Sequence, residues 1–269
     1  MSAPDMLGAF VEGIGLRGPG LPDWPAGARM LRGMEPWTVA RTVIPALQCL
    51  PSAERRRTGI TVRLALSVGL EALAQAGADA ATLPAVFTSS GGDGQNCHEI
   101  CEVLTSGDRQ LSPTRFHNSV HNAASGYWGI ATGATRASNA LCAHDASFAA
   151  GLLEAVTQVV VDNTPVLLVA YDAAYPEPMR TVRPIPDAFA VALLLAPEVT
   201  ARSLARLTLC LSEEPATVLG DAGLEQLRGA IPAARSLPLL LQLASLTAAQ
   251  LRLDYLAQRR LAVEVSPCR

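Results

Sequence analysis

The chain has 269 residues, a net charge of −3, 17% charged, 49% hydrophobic and only 4% aromatic residues, and a mean hydropathy of +0.25. The length is ample for one large α/β domain or two modest ones with a buried core, and the weakly acidic balance gives no reason to expect nucleic acid. All 21 basic residues are arginine, which excludes a Schiff-base lysine, a pyridoxal phosphate anchor and a P-loop lysine.

Met6–Ile14 is short and apolar and predicts a first strand. The opening MSAPDMLGAFVEGIG lacks a basic n-region, so no signal peptide is expected. A Gly/Pro-rich loop follows from Gly15 to Ala28, with Trp24 as an anchor, and irregular structure continues past Trp37 through Pro45–Pro51. Ser52–Gly77 reads as one long helix, capped by Ser52 and ended by Gly77, with Val62, Leu64, Leu66, Leu70, Leu73 and Ala74 on its buried face. Arg55–Arg57, near its start, reads as a solvated basic run; the functional alternative is contact with an acidic carrier protein. Leu83–Ser89 is a strand, and the Ser90–Gly94 loop matches neither G-x-G-x-x-G nor the P-loop. A helix follows at Asn96–Leu104.

The central stretch, Ser112–Ala155, reads as helix, tight turn, strand, turn, helix. Asn122, Ala123, Ala124, Ser125, Gly126 and Gly133 are small, so a helix here can lie close to another backbone. Between Cys142 and Ser147 a strand hands over to a helix with Asp145 or Ser147 as its cap and Phe148, Leu152 and Ala155 as its apolar stripe. Free N–H groups and the helix dipole make such a junction a suitable place for a nucleophile.

Beyond it, a helix from Ala146 to about Val160 leads through Asp162-Asn163 into a buried strand at Pro165–Ala170. A proline-bearing loop, Ala173–Pro186, separates this from strands at Phe189–Leu195 and Ala205–Leu211. Glu213–Ala230 holds a helix or two, Leu237–Leu246 another, and Leu261–Val265 is a closing strand. Together these indicate a sheet with helices on its faces.

The remaining chemistry is thin. The six cysteines form no C-x-x-C pair; Cys97 and Cys101, one helical turn apart, are half a metal site at best, and buried free thiols in a reducing cytoplasm are expected. His117 and His121 are four apart and would share a helix face, but they lack an intervening Glu and a third ligand, so no metal is expected. His144 beside Asp145 could act as a general base with its orienter, yet neighbours in an extended segment point to different faces. No apolar run reaches membrane length, since Leu237–Leu246 is broken by Gln242.

Ser112-Pro113, followed by Asn122, Gly126, Ile130, Gly133 and Ser138, resembles the segment that leads to the active-site cysteine of β-ketoacyl synthases of the thiolase superfamily. The phrases SFAAGLLEA and PVLLVAYD, and the C-terminal LRLDYLAQRRLAVEVSP, are similar to the small chain length factor subunits that accompany aryl polyene ketosynthases. The resemblance implies an α/β, thiolase-like fold of the ketosynthase N-terminal type: a layered sheet with helices and a shortened second half. It also implies a single domain, with residues 1–200 as the core half and 201–269 as the abbreviated second half.

Carried over without gaps, the family's spacing puts Asp145 in the nucleophile slot and Cys142 on the strand before it; Cys142 is the less favoured candidate nucleophile. The family's two catalytic histidines lie well downstream, and no histidine here follows His144. The resemblance thus implies a non-catalytic subunit that pairs with an active ketosynthase and, through the complex, meets the acyl carrier protein. Thr114, Arg115, Phe116 and His117, with Asn122 and Gly126, become the candidates for the partner's tunnel and the shared interface. For Phe116 a plain interface-core role is an equal alternative. Two other readings stand beside it: a self-sufficient acyl-transfer enzyme using Cys142, and a homodimeric acyl-binding scaffold. No cofactor, nucleic acid or membrane span is expected, and the expected compartment is the cytoplasm.

Overall fold

The computed structural model describes residues 7–268. Met6, the first residue of the expected opening strand, and residues 1–5 of the segment read as lacking a leader lie outside the described residues. Strand β1 (Leu7–Arg17) runs three residues beyond its expected end. What reads as loop then becomes helix α1 (Trp24–Leu31), because the Asp23 carboxylate accepts from the Ala26 N–H at 2.7 Å and Pro25 is pre-set for a first helical turn.

The single long helix expected over Ser52–Gly77 is two. A short α2 (Ser52–Arg55) stops before Gly59, which caps α3 (Ile60–Ala76). Ser52 makes no side-chain cap; Pro51 holds that position. Gly77, left-handed at φ 61°, ends α3 as the sequence predicts. Then come β2 (Ala85–Thr88), α4 (Gly94–Thr105), α5 (Pro113–His117), α6 (Ala123–Thr132), β3 (Ser138–Leu141) and α7 (Ser147–Asp162). The second part holds β4 (Val166–Asp172), a short α8 (Met179–Val182), β5 (Phe189–Ala196), β6 (Ala205–Ser212), α9 (Ala222–Ala230) and α10 (Leu237–Ser245). It closes with β7 (Ala249–Asp254) and β8 (Arg260–Pro267); β7 has no counterpart in the sequence reading, and the segment 213–230 holds one helix.

All eight strands form one sheet in the order β3-β2-β4-β5-β1-β6-β8-β7. β2 pairs in parallel with both β3 and β4; every other pairing is antiparallel. The residues after 200 therefore extend the sheet past β1 with three antiparallel strands. β4 and β5 are buried along their whole lengths. Their alternate residues separate into two cores: Val166, Leu168, Val191 and Leu193 face the side of α7, and Leu167, Val169, Ala190 and Ala192 face the side of α3.

Helix α3 lies unusually close to β1. A methyl group on Gly13 or Gly15 would collide with the carbonyl oxygens of Ala72 or Val68 on that helix. β6 pairs with β1 only from Leu7 to Val11, so the later N–H groups on that edge lack a strand partner. α3 supplies one: Gln75 Oε1 accepts from Ile14 N–H at 2.7 Å, and Glu71 Oε2 accepts from Leu16 N–H at 3.1 Å. Four residues on a helix span about 6 Å, close to two residues of strand, so the pair fits the register.

Candidate functional site

The chain's chemistry-bearing groups collect at the ends of the parallel strands β2, β3 and β4, where ligands of α/β sheets commonly bind. β3 ends at Leu141, and the chain turns through Cys142, Ala143 and a single 3-10 turn (His144–Ala146) into α7. His144 carries a left-handed backbone at φ 50°, unusual for a residue with a side chain. The strained residue of the elbow is thus His144, one before the Asp145 slot given by spacing and two after Cys142.

The expected capping of α7 is not made. Ala146 stands at the N-cap with no side-chain bond. The Ser147 hydroxyl instead ties the turn together, accepting from Ala143 N–H at 3.0 Å and donating to the His144 carbonyl at 2.7 Å. Asp145 is held by two arginines: Arg183 Nη2 lies 2.6 Å from Oδ1 and Arg235 Nη2 lies 3.1 Å from Oδ2. Partial burial pushes its carboxyl up, but the Arg183 hydrogen bond and the charges of Arg235 and Arg183 outweigh that and hold it below the ordinary value. Arg183 Nη1 also stands 2.5 Å from His144 Nε2. That contact requires the neutral tautomer with Nε2 as acceptor.

The Cys142 thiol is exposed and donates to the Ser90 carbonyl at 3.2 Å. All six cysteines are free, as expected, but none is buried: Cys97, Cys101, Cys142 and Cys210 are exposed, and Cys49 and Cys268 half-buried. The reason is placement. Cys97 and Cys101 fall on α4, whose only buried residue is Gly94.

Behind the junction lies Asp172, at the end of β4 and 4% exposed. It accepts from the Ser90 N–H (2.9 Å), the Ser90 hydroxyl (2.6 Å) and the Ala233 N–H (2.8 Å). Burial nonetheless pushes its carboxyl up to about 6 against these three bonds. Asp172 therefore joins the glycine loop to the turn at Pro232–Ser236, which also carries Arg235. The loop's glycines accommodate the Tyr175 ring: side chains at Gly91 or Gly94 would strike it. Sequence reading missed Arg183, Arg235 and Asp172; the only local signal was a lone arginine within the apolar run IPAARSLPLLL.

The tunnel candidates sit apart from this junction, on and after α5. Thr114 and Arg115 line a polar cleft of about 540 Å³ with Arg56, Arg57 and Arg63. Arg115 pairs with Glu99. Phe116 is 67% exposed, and His117 makes an edge-on contact with Tyr127 at 6.1 Å. His117 and His121 do not share a helix face: α5 ends at His117, and His121 lies in the turn before α6. Among the described residues no group of three metal-ligating side chains occurs. On α6, Asn122, Gly126 and Ile130 form an exposed ridge, and a side chain at Gly126 would meet nothing in this chain. Of the small residues predicted to admit a close backbone, Asn122, Gly126 and Gly133 are exposed, whereas Ala124 is buried in the core on the side of α3.

A family model described as the β-ketoacyl synthase N-terminal domain matches residues 31–248. The chain belongs to that family. A chain of the structure of a ketosynthase (ApeO) in complex with its chain length factor (ApeC) from Xenorhabdus doucetiae superposes with a TM-score of 0.72 at 23% identity, over 95% of this chain and 98% of that one. A chain of the ishigamide ketosynthase/chain length factor gives 0.73 at 13% identity, over 96% and 99%. A chain of the AntDE:AntF structure, a type II PKS acyl-carrier protein in complex with its ketosynthase, gives 0.74 at 13% identity, over 97% and 99%. No curated protein matches this chain in sequence. The ketosynthase-type, thiolase-like α/β fold expected from the sequence is therefore the fold observed. Among the described residues no helix is long and apolar enough to cross a membrane.

Proposed function

We propose that this ketosynthase-family chain is a non-catalytic subunit that pairs with an active β-ketoacyl carrier-protein synthase and shapes its acyl tunnel, as a chain length factor. The observation that carries the reading is Asp145 locked between Arg183 and Arg235 at the strand-to-helix junction. Ketosynthase chemistry needs a free thiolate there and two downstream imidazoles. This chain offers an ion-paired carboxylate and no histidine after residue 144.

The outward ridge of Asn122, Gly126 and Ile130 beside the open β3 edge supports a partner on that face. The arginine-lined cleft at Thr114 and Arg115 supports contact with the acidic carrier protein of the same complex. The chain acts as one unit, with residues 1–200 as the core half and 201–269 as its abbreviated complement. The product class, an aryl polyene or related acyl chain, rests on the sequence phrases alone, and the compartment proposed is the cytoplasm.

Native mass spectrometry of the chain, alone and with the ketosynthase encoded nearest to it, tests this. The expected result is a one-to-one complex that condenses malonyl carrier protein and still does so after Cys142→Ala. A chain that ignores the ketosynthase and captures an acyl group on Cys142 would establish the enzyme reading instead. A homodimer that binds acyl chains without the ketosynthase would establish the scaffold reading.

A further inference from the structure

A second cavity, of about 540 Å³ and lined in part by Pro186 and Asp187, is not used by the ketosynthase-type reading. One wall is α9, which presents Gly223, Gln226, Leu227 and Ala230 at helical spacing. The strap Trp37–Arg41 also lines it, together with Pro19 and Pro186. The Trp37 indole is pinned, its Nε1 donating to the Pro19 carbonyl at 3.0 Å. Gly223 lacks a side chain where one would strike that ring. The strap is anchored from behind by Gly20 N–H to the Ala40 carbonyl at 2.9 Å and by the Thr42 hydroxyl to the Ala188 carbonyl at 2.7 Å.

The polar groups of this cavity are unequally engaged. Both Asp187 oxygens already accept, from Thr42 N–H at 3.1 Å and Ala188 N–H at 2.7 Å. Arg41, exposed and on the cavity wall, has no ion-pair partner among the described residues. A mostly apolar cleft of this size, with one free cation, matches a small molecule with an apolar body and an anionic end. We propose that the cleft between α9 and the Trp37–Arg41 strap binds a medium-chain carboxylate, its chain along Trp37, Leu227 and Ala230 and its head on Arg41.

Trp37 is the reporter. Trp24 and Trp128 are buried, whereas Trp37 lines the cleft. Titrating octanoate, which is transparent where tryptophan absorbs, into the full chain or its purified complex should give a saturable change in emission that Trp37→Phe removes. Arg41→Gln should weaken binding about tenfold, the scale of one charge-assisted hydrogen bond. Octan-1-ol should bind the native chain no better than octanoate binds Arg41→Gln. Ala230→Phe should fill the cleft and abolish the signal with an unchanged far-UV circular dichroism spectrum. Should that variant not fold, Gln226→Glu at an exposed wall position should repel octanoate and leave octanol unaffected. An unsaturable response, a response that survives Trp37→Phe, or equal binding of octanoate and octanol to the native chain would overturn the proposal. None of these readouts depends on condensation activity, so failure here and failure of the partner-subunit reading are separable.

Discussion

Two aspartates at the head of the sheet have opposite electrostatic fates. Asp172 is buried, and its carboxyl is raised from 3.8 to about 6. A group raised on folding contributes stability that is complete below its unfolded value and is lost as pH rises through the folded one. Unfolding free energy should therefore fall by about 2 kcal/mol between pH 4 and pH 6 on account of Asp172 alone. Urea denaturation at pH 4, 5, 6 and 7 measures it. Asp172→Asn should remove that slope: its amide oxygen still accepts from Ser90, although its NH₂ then faces the Ala233 N–H. A slope of the same size in the variant would assign the effect elsewhere. Asp145 runs the other way. Its carboxyl is lowered, so its contribution is present above the unfolded value of 3.8 and lost as pH falls below it. With 36% of its side chain exposed, that contribution is about 1 kcal/mol or less after screening.

The packing of α3 on β1 shows what a helix does where a strand stops short. Ile14 and Leu16 are fully buried, yet their N–H groups face an edge that β6 leaves at Val11. Gln75→Leu should strand the Ile14 donor at a cost of about 1–3 kcal/mol. Gly15→Ala should cost more than about 3 kcal/mol, because the methyl group meets helix backbone that cannot rotate away. Chemical denaturation of the two variants decides it, and a Gly15→Ala variant as stable as the native chain would contradict the close approach.

These features also show where sequence reading succeeds. The buried strands β4 and β5 announce themselves as continuous apolar runs; β6, read as a third buried strand, instead exposes Arg206, Cys210 and Leu211. The break between α2 and α3 does not, because the Ala/Leu run beginning at Val62 carries the eye back over Gly59 to Ser52. β7 does alternate, with Leu251 and Leu253 buried, but six residues between a helix and a polar turn carry little signal. The strand-to-helix junction around Asp145 was visible in the local sequence. The partners of Asp145 were not: Arg183 and Arg235 lie 38 and 90 residues away and reach it only because β5 returns beside β4 and Asp172 fixes the Pro232–Ser236 turn.

At the scale of the whole molecule, the sheet has two unlike ends. One extends into β6, β8 and β7; the other stops at β3, a four-residue edge strand beside the exposed ridge of α6. Phe116 on α5 and Val120 between α5 and that ridge are 67% and 52% exposed. In the proposed partner-subunit reading these groups are covered by the ketosynthase. Covered by a partner, Phe116 has two distinguishable roles. As a wall of the partner's acyl tunnel it limits length by volume, and Phe116→Ala should shift the products of the reconstituted complex to longer chains while leaving complex affinity nearly unchanged; Phe116→Trp should shorten them. As an interface anchor it contributes burial, and Phe116→Ala should weaken the complex by about 3 kcal/mol, over a hundredfold in Kd, with product length unchanged. Mass spectrometry of carrier-bound products, read beside a titration of the two subunits, separates the outcomes. The tunnel reading requires the first, because a steric limit acts on the acyl chain and an anchor acts only on the subunit that holds it.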